Sequence, residues 1–185
     1  YKRQQLNMSH EMRSRLQCFF ELCYPEKRMF HERDIIDQLS HPLQAEVALV
    51  KCSAVLDTLK VVSDGNLSRA IALHLKRCVF IDGDHIIRIG MFSNGMYFIS
   101  QGTVQVFVSG VTQPVSTLGR GAFCGELALL DPSGRAAGDV RVKGYVEGFI
   151  LEADKFAKLC EEFPEFRSYI ENVARMRLKK AEQSQ

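Results

Sequence analysis

The sequence is short of several things that would have placed it quickly. It has almost no charge imbalance: the formal net charge is +2. That is too small for bulk attraction to nucleic acid or an anionic membrane. No apolar run approaches a membrane span, and no signal peptide is visible. No two of the six cysteines form a CxxC pair. They stand apart in apolar surroundings such as Cys18-Phe19-Phe20, which predicts reduced, buried small hydrophobes. A zinc-type HExxH begins at His10-Glu11 but fails at Ser14. No nucleophile–base set is evident either, so the chain does not read as an enzyme. What remains is 185 residues, 46% of them hydrophobic and 25% charged. That suffices to bury one core, with room for a small appendage, and excludes a disordered segment. The chain begins at Tyr1 rather than Met, and is expected to be a piece of a longer one.

The pattern changes near residue 77 and again near residue 154. The first part predicts short helices over residues 11–24, 32–39 and 43–50, with His41-Pro42 as a break. Residues 53–59 are apolar at Val55, Leu56 and Leu59, and a further helix runs to Lys76 with Asn66 or Ser68 as its cap. None has a long heptad seam, so these helices are expected to dock on neighbours. The middle predicts strands over 78–81, 85–89, 115–118 and 140–151. A hairpin is expected where Gln101-Gly102 separates 96–100 from 103–108, and Val104, Val106 and Val108 alternate with Gln105 and Phe107, which predicts one buried face. Glycines at short intervals are the punctuation of a small antiparallel roll. From Asp154 two helices follow, the second opened by Pro164 and carrying Phe166, Ile170 and Val173 on one face. The fold class expected is α+β.

One stretch carries chemistry: GRGAFCGELALLDPSGRAAGDV, residues 119–140. A dinucleotide GxGxxG is excluded, because Cys124 stands where the third glycine is required. Gly125-Glu126 opens a short apolar helical turn, and Arg135 follows a Pro/Ser/Gly loop. Free N–H groups at a helix start attract an anion, and an arginine fork clamps one. A carboxylate beside them belongs there only as an acceptor for hydroxyls. The set describes a ligand with one phosphate and a free sugar hydroxyl. Blander readings stand beside it. Arg135 is an ordinary loop arginine, Glu126 an acid favoured by the helix dipole, Val106 and Leu118 core residues, and Arg177 a solvated cation near a helix end.

The stretch resembles the phosphate-binding cassette of cyclic nucleotide-binding domains, as in the protein kinase A regulatory subunit, the bacterial catabolite activator and cyclic nucleotide-gated channels. That family shows Gly-Glu, an apolar quartet, a loop, and Arg followed by small residues. Here these are Gly125, Glu126, Leu127, Ala128, Leu129, Leu130, Arg135, Ala136 and Ala137. Upstream, GDHIIRIG and MYFISQGTVQVF are similar to the family's β-roll strands. Residues 9–47 resemble the C-linker of hyperpolarisation-activated and cyclic nucleotide-gated channels, whose helices form a fourfold ring beneath the pore.

The resemblance implies a C-linker over 1–66 and a cyclic nucleotide-binding domain over 67–185. The latter divides into a β-roll (77–153), a cassette (121–140) and C-terminal helices (154–181). It implies that Arg135 pairs with the cyclic phosphate, while Gly125 and the N–H groups of Ala136 and Ala137 add donors. Glu126 would accept from the ribose 2′-hydroxyl, with Leu127 in the same turn. Val106 and Leu118 would pack on the base, and Arg177 would cap it, with Leu178 and Ala181 as lesser contacts. Many channels carry Thr at the position of Ala136, and its hydroxyl favours cGMP; Ala136 resembles the kinase pattern instead, which implies cAMP over cGMP. The implied whole is the cytoplasmic sensor of a tetrameric cation channel of the plasma membrane, partnered by its other subunits and its pore domain. A non-binding channel domain and a regulatory domain of an enzyme such as a kinase are the alternatives. Three positions depart from the pattern: Cys124 before Gly-Glu, the additional residue in Gly138-Asp139, and Ile89 where many relatives carry Glu.

Overall fold

A computed structural model describes residues 8–23, 36, 38–57, 59 and 65–182. Its elements are α1 (His10–Cys23), α2 (His41–Leu56), α3 (Gly65–His74), β1 (Leu75–Ile81), β2 (His85–Ile87), β3 (Gly95–Val108), β4 (Ser116–Leu118), β5 (Phe123–Cys124), α4 (Glu126–Leu130), β6 (Gly138–Glu152), α5 (Ala153–Glu162) and α6 (Pro164–Glu182). The class is α+β, as expected. The six strands form one antiparallel sheet, ordered β1-β6-β3-β4, with β2 on β6 and β5 on β3.

Strand alternation places two cores on either side of β3. Met96 and Phe98 face one way, into a helical layer with Leu67 and Ile71 of α3, Phe156 and Leu159 of α5, and Phe166 and Ile170 of α6. Tyr97 and Ile99 face the other way, into the roll, with Val104, Cys124, Val140 and Val142. Cys52, Val55 and Leu56 of α2 also enter the helical layer. By contrast, α1 has no buried residue, and Arg15 pairs with Asp84 across its contact with the roll.

Several local expectations are corrected. The hairpin at Gln101-Gly102 does not form. Residues 95–108 are one long strand whose register against β6 shifts between Ile99 and Gln101 and again between Gly102 and Thr103. Gly102 has φ 91°, and a Cβ there would lie 1.9 Å from the Tyr145 carbonyl oxygen. The glycine therefore serves a β-bulge, which bends a strand without ending it. His41-Pro42 opens α2 instead of breaking a helix, since proline in a first turn forfeits no helical hydrogen bond. The helix expected to reach Lys76 stops at His74, and Leu75 and Lys76 pair with Leu151 and Ile150. Asp154 lies in the first turn of α5, whose cap is Glu152. β5 had no sequence signal of its own. The helix expected over 32–39 lies largely outside the described residues.

The cysteines divide. Cys52, Cys124 and Cys160 are buried, Cys23 and Cys78 half-buried, and all are free. Cys18 is exposed, against expectation, because α1 buries nothing. Burial pushes the thiols of Cys52 and Cys160 up to about 11 and those of Cys78 and Cys124 up to about 12. The thiolate is the reactive species. Iodoacetamide at mildly alkaline pH is therefore expected to alkylate Cys18 first and to reach these four only on unfolding. Peptide mass spectrometry reads the order; early labelling of Cys124 would contradict the packing.

Candidate functional site

The site forms where β5 runs into α4. Gly125 is the N-cap of α4, with φ 99°. A Cβ there would lie 2.5 Å from the Gly95 carbonyl oxygen, so the turn that aims Glu126 inward accepts only glycine. A cavity of about 210 Å³ opens at this point. Its wall is largely aliphatic: Ile87, Val106, Val108, Val115, Leu118 and Val140. Val106 and Val108, expected on a buried face, are half-buried because that face fronts the cavity.

Glu126 is the one buried charged residue among those described, at 1% exposure. Its Oε1 accepts a hydrogen bond from Arg177 at 2.6 Å, while its Oε2 has no partner among the described residues. A buried carboxylate oxygen without a donor is costly, about 1–3 kcal/mol or more. An O–H supplied by a ligand would satisfy it. A sugar hydroxyl is one such group.

Arg177 is held three ways. Besides Glu126, it donates to the Phe123 carbonyl at 2.9 Å, and its guanidinium lies 4.6 Å over the Phe123 ring. The reading of Arg177 as a solvated cation therefore fails. The charged group of α6 closes the cavity by gripping the carboxylate at its floor. The spacing of Phe166, Ile170, Ala174 and Arg177 explains how: one face of α6 stays inward for its whole length.

Of the expected residues, Gly125, Glu126, Leu127, Ala136, Ala137, Val106, Leu118 and Arg177 all line the cavity, as does Leu178. Arg135 does not. It is exposed, donates to the Gly90 carbonyl at 2.7 Å and lies 4.5 Å over the Phe92 ring. The backbone N–H of Ala136, expected to be open to an anion, donates to the Met91 carbonyl at 2.9 Å. Both follow from one feature: Phe92 and Arg135 form an antiparallel bridge that ties the cassette loop to the loop after β2. The side chain of Ala181 lies outside the described residues.

The Gly138-Asp139 addition is absorbed into the sheet. Gly138 pairs with Val108 and Asp139 with Phe107 at the start of β6. Asp139 accepts from the Ile89 N–H at 2.8 Å and from Arg141 at 2.9 Å, and these two donors hold its carboxyl below the usual range. It is absent from the cavity wall. The residues that sequence reasoning missed include Ser116 and Cys124 in the wall, and Phe92 and Phe123 beneath the arginines. The Val104/Val106/Val108 alternation marked an inward face but not a cavity, and nothing local marked the two aromatic platforms. Among the described residues there is no cluster able to hold a metal and no helix long and apolar enough to cross a membrane.

The chain is similar to known proteins. A family model described as "Cyclic nucleotide-binding domain" matches residues 77–163. The human potassium/sodium hyperpolarization-activated cyclic nucleotide-gated channel 4 is 34% identical over 170 residues, which is 91% of this chain and 14% of the relative. Channel 2 of Mus musculus is likewise 34% identical over 91% of this chain and 19% of its own length. Channel 1 of Oryctolagus cuniculus is 32% identical over the same shares. The chain thus spans less than a fifth of the relatives it matches, and those relatives are channels, not enzymes. This chain therefore carries a domain of the cyclic nucleotide-binding family at residues 77–163 and is similar, over 91% of its length, to part of the hyperpolarization-activated channels.

Proposed function

We propose that this chain is the cyclic nucleotide sensor of a tetrameric cation channel, taking cAMP ahead of cGMP. In this reading residues 67–185 bind the ligand, and residues 1–66 are the C-linker that passes the event to the pore. Contact with the other subunits also runs through that linker. The chain then lies on the cytoplasmic side of an integral membrane protein, at the plasma membrane. The observation that carries the reading is the buried, half-satisfied Glu126 at the floor of an aliphatic cavity. The carboxylate receives the ribose 2′-hydroxyl at Oε2, and Val106 and Leu118 receive the base. Gly125, Leu127 and Ala137 surround the phosphate end, and Arg135 supplies its counter-charge. Arg177 covers the base from α6.

Coupling follows from Arg177. At about 210 Å³ the cavity is smaller than the ~300–1,000 Å³ of typical ligand sites. A ligand too large for this space must displace Arg177 from Glu126, and that moves α6. A ligand that prefers one position of α6 shifts the population toward it, with coupling typically ~1–3 kcal/mol.

Calorimetric titration with cAMP and cGMP tests the reading. Saturable binding with cAMP the tighter is expected. Ala136→Thr adds a hydroxyl at the cavity and is expected to improve cGMP relative to cAMP by roughly 2- to 12-fold, the worth of one hydrogen bond. An unchanged ratio, with folding intact by thermal melt, would remove Ala136 from the basis of selectivity. One observation favours a second reading, a channel domain of the same fold that binds no nucleotide: Arg135 rests on Phe92, outside the cavity. Absence of binding at millimolar ligand would select it.

A further inference from the structure

Arg135 is engaged in this structure, though not with the cavity. Its Nη1 donates to the Gly90 carbonyl at 2.7 Å, and its guanidinium sits 4.5 Å over the face of Phe92. The backbone bridge between Phe92 and Arg135 holds ring and side chain in register. Its own N–H donates to Ser133 Oγ at 3.2 Å. Phe92 is 66% exposed, so this ring contributes little to either core. Its principal structural partner is the arginine.

We propose that Phe92 is a positioning residue that docks Arg135 outside the cavity and thereby sets the affinity for a cyclic phosphate. The inference rests on the reading of Arg135 as the phosphate's counter-charge. A guanidinium that must leave an aromatic face and a carbonyl before meeting the ligand is competent only part of the time. Apparent affinity falls by that fraction. Phe92 therefore acts through Arg135 and touches no ligand.

Two measurements test this on the chain. The first is cAMP affinity by calorimetry for Phe92→Ala and Phe92→Tyr, each with Arg135 and with Arg135→Ala. Phe92→Ala is expected to tighten cAMP about two- to fivefold, the worth of an exposed cation–π contact. Phe92→Tyr keeps the ring face and should leave affinity unchanged. With Arg135→Ala, Phe92→Ala should have no effect. The second is the NMR resonance of the Arg135 Nε proton. Ring-current shielding should disappear in Phe92→Ala, and equally when saturating cAMP is added to the unsubstituted chain. Unchanged or weaker binding by Phe92→Ala would overturn the proposal. So would equal tightening in the Arg135→Ala background, or an Arg135 proton that stays ring-shifted in the complex. If the unsubstituted chain binds and Arg135→Ala weakens it while Phe92→Ala does nothing, this inference alone falls. If the unsubstituted chain binds no cyclic nucleotide, the functional reading falls and this inference with it.

Discussion

Arg135→Glu is expected to abolish saturable cAMP binding while leaving the fold intact. If Arg135 is the phosphate's counter-charge, as proposed, the neutral change Arg135→Ala removes one charge-assisted hydrogen-bonded pair with it. That is worth about 1.5–3 kcal/mol, or roughly 10- to 150-fold in affinity. Glutamate goes further, because it sets a negative charge against a negative ligand. The folded chain loses little: Arg135 is exposed, and its contacts are one surface stack and one carbonyl that water can serve. Calorimetry and a thermal melt on the same sample separate the two effects. Equal affinity for the unsubstituted chain and Arg135→Glu would exclude Arg135 as the phosphate's partner.

Phe166→Ala is expected to lose about 3–5 kcal/mol of stability, the range for deleting a buried phenyl ring. Phe166 is fully buried and meets Phe156 edge-on, with ring centroids 5.9 Å apart. Small domains are stable by only ~5–15 kcal/mol in total, so this is a large fraction. Urea unfolding gives the number; a loss under about 1 kcal/mol would mean that the helical layer repacks around the gap. The change also reaches the site. Phe166 anchors the inward face of α6, the face that carries Arg177 to Glu126. Phe166→Leu fills more of the space and should cost less.

Some of the fold and site was legible because its signals are local. Gly125-Glu126 stands directly before an apolar turn, and the conformation of that turn depends on a glycine with φ 99°. A torsional requirement of this kind is met by one residue type and shows in the sequence. The same holds for Pro164 at the head of α6 and for strand alternation in β3. Alternation showed that Val106 faces inward; it did not show that the face fronts a cavity. Gln101-Gly102 had the composition of a turn, and a bulge uses the same glycine. The outcome turned on β6, whose Tyr145 carbonyl approaches Gly102 too closely for any side chain.

The sequence by itself determined the α+β class, the glycine turn before α4 and the strand alternation of β3. Each rests on torsions and periodicities read within a dozen residues. Tertiary structure alone decided what the two arginines do. Arg177 reaches across 51 residues to Glu126 and takes one of its oxygens. Arg135 reaches back 45 residues to Gly90 and rests on Phe92. An arginine offers five donors on a long flexible stem, and many carbonyls, carboxylates and ring faces suit it nearly equally. Which partner it takes depends on distances that only the folded chain sets.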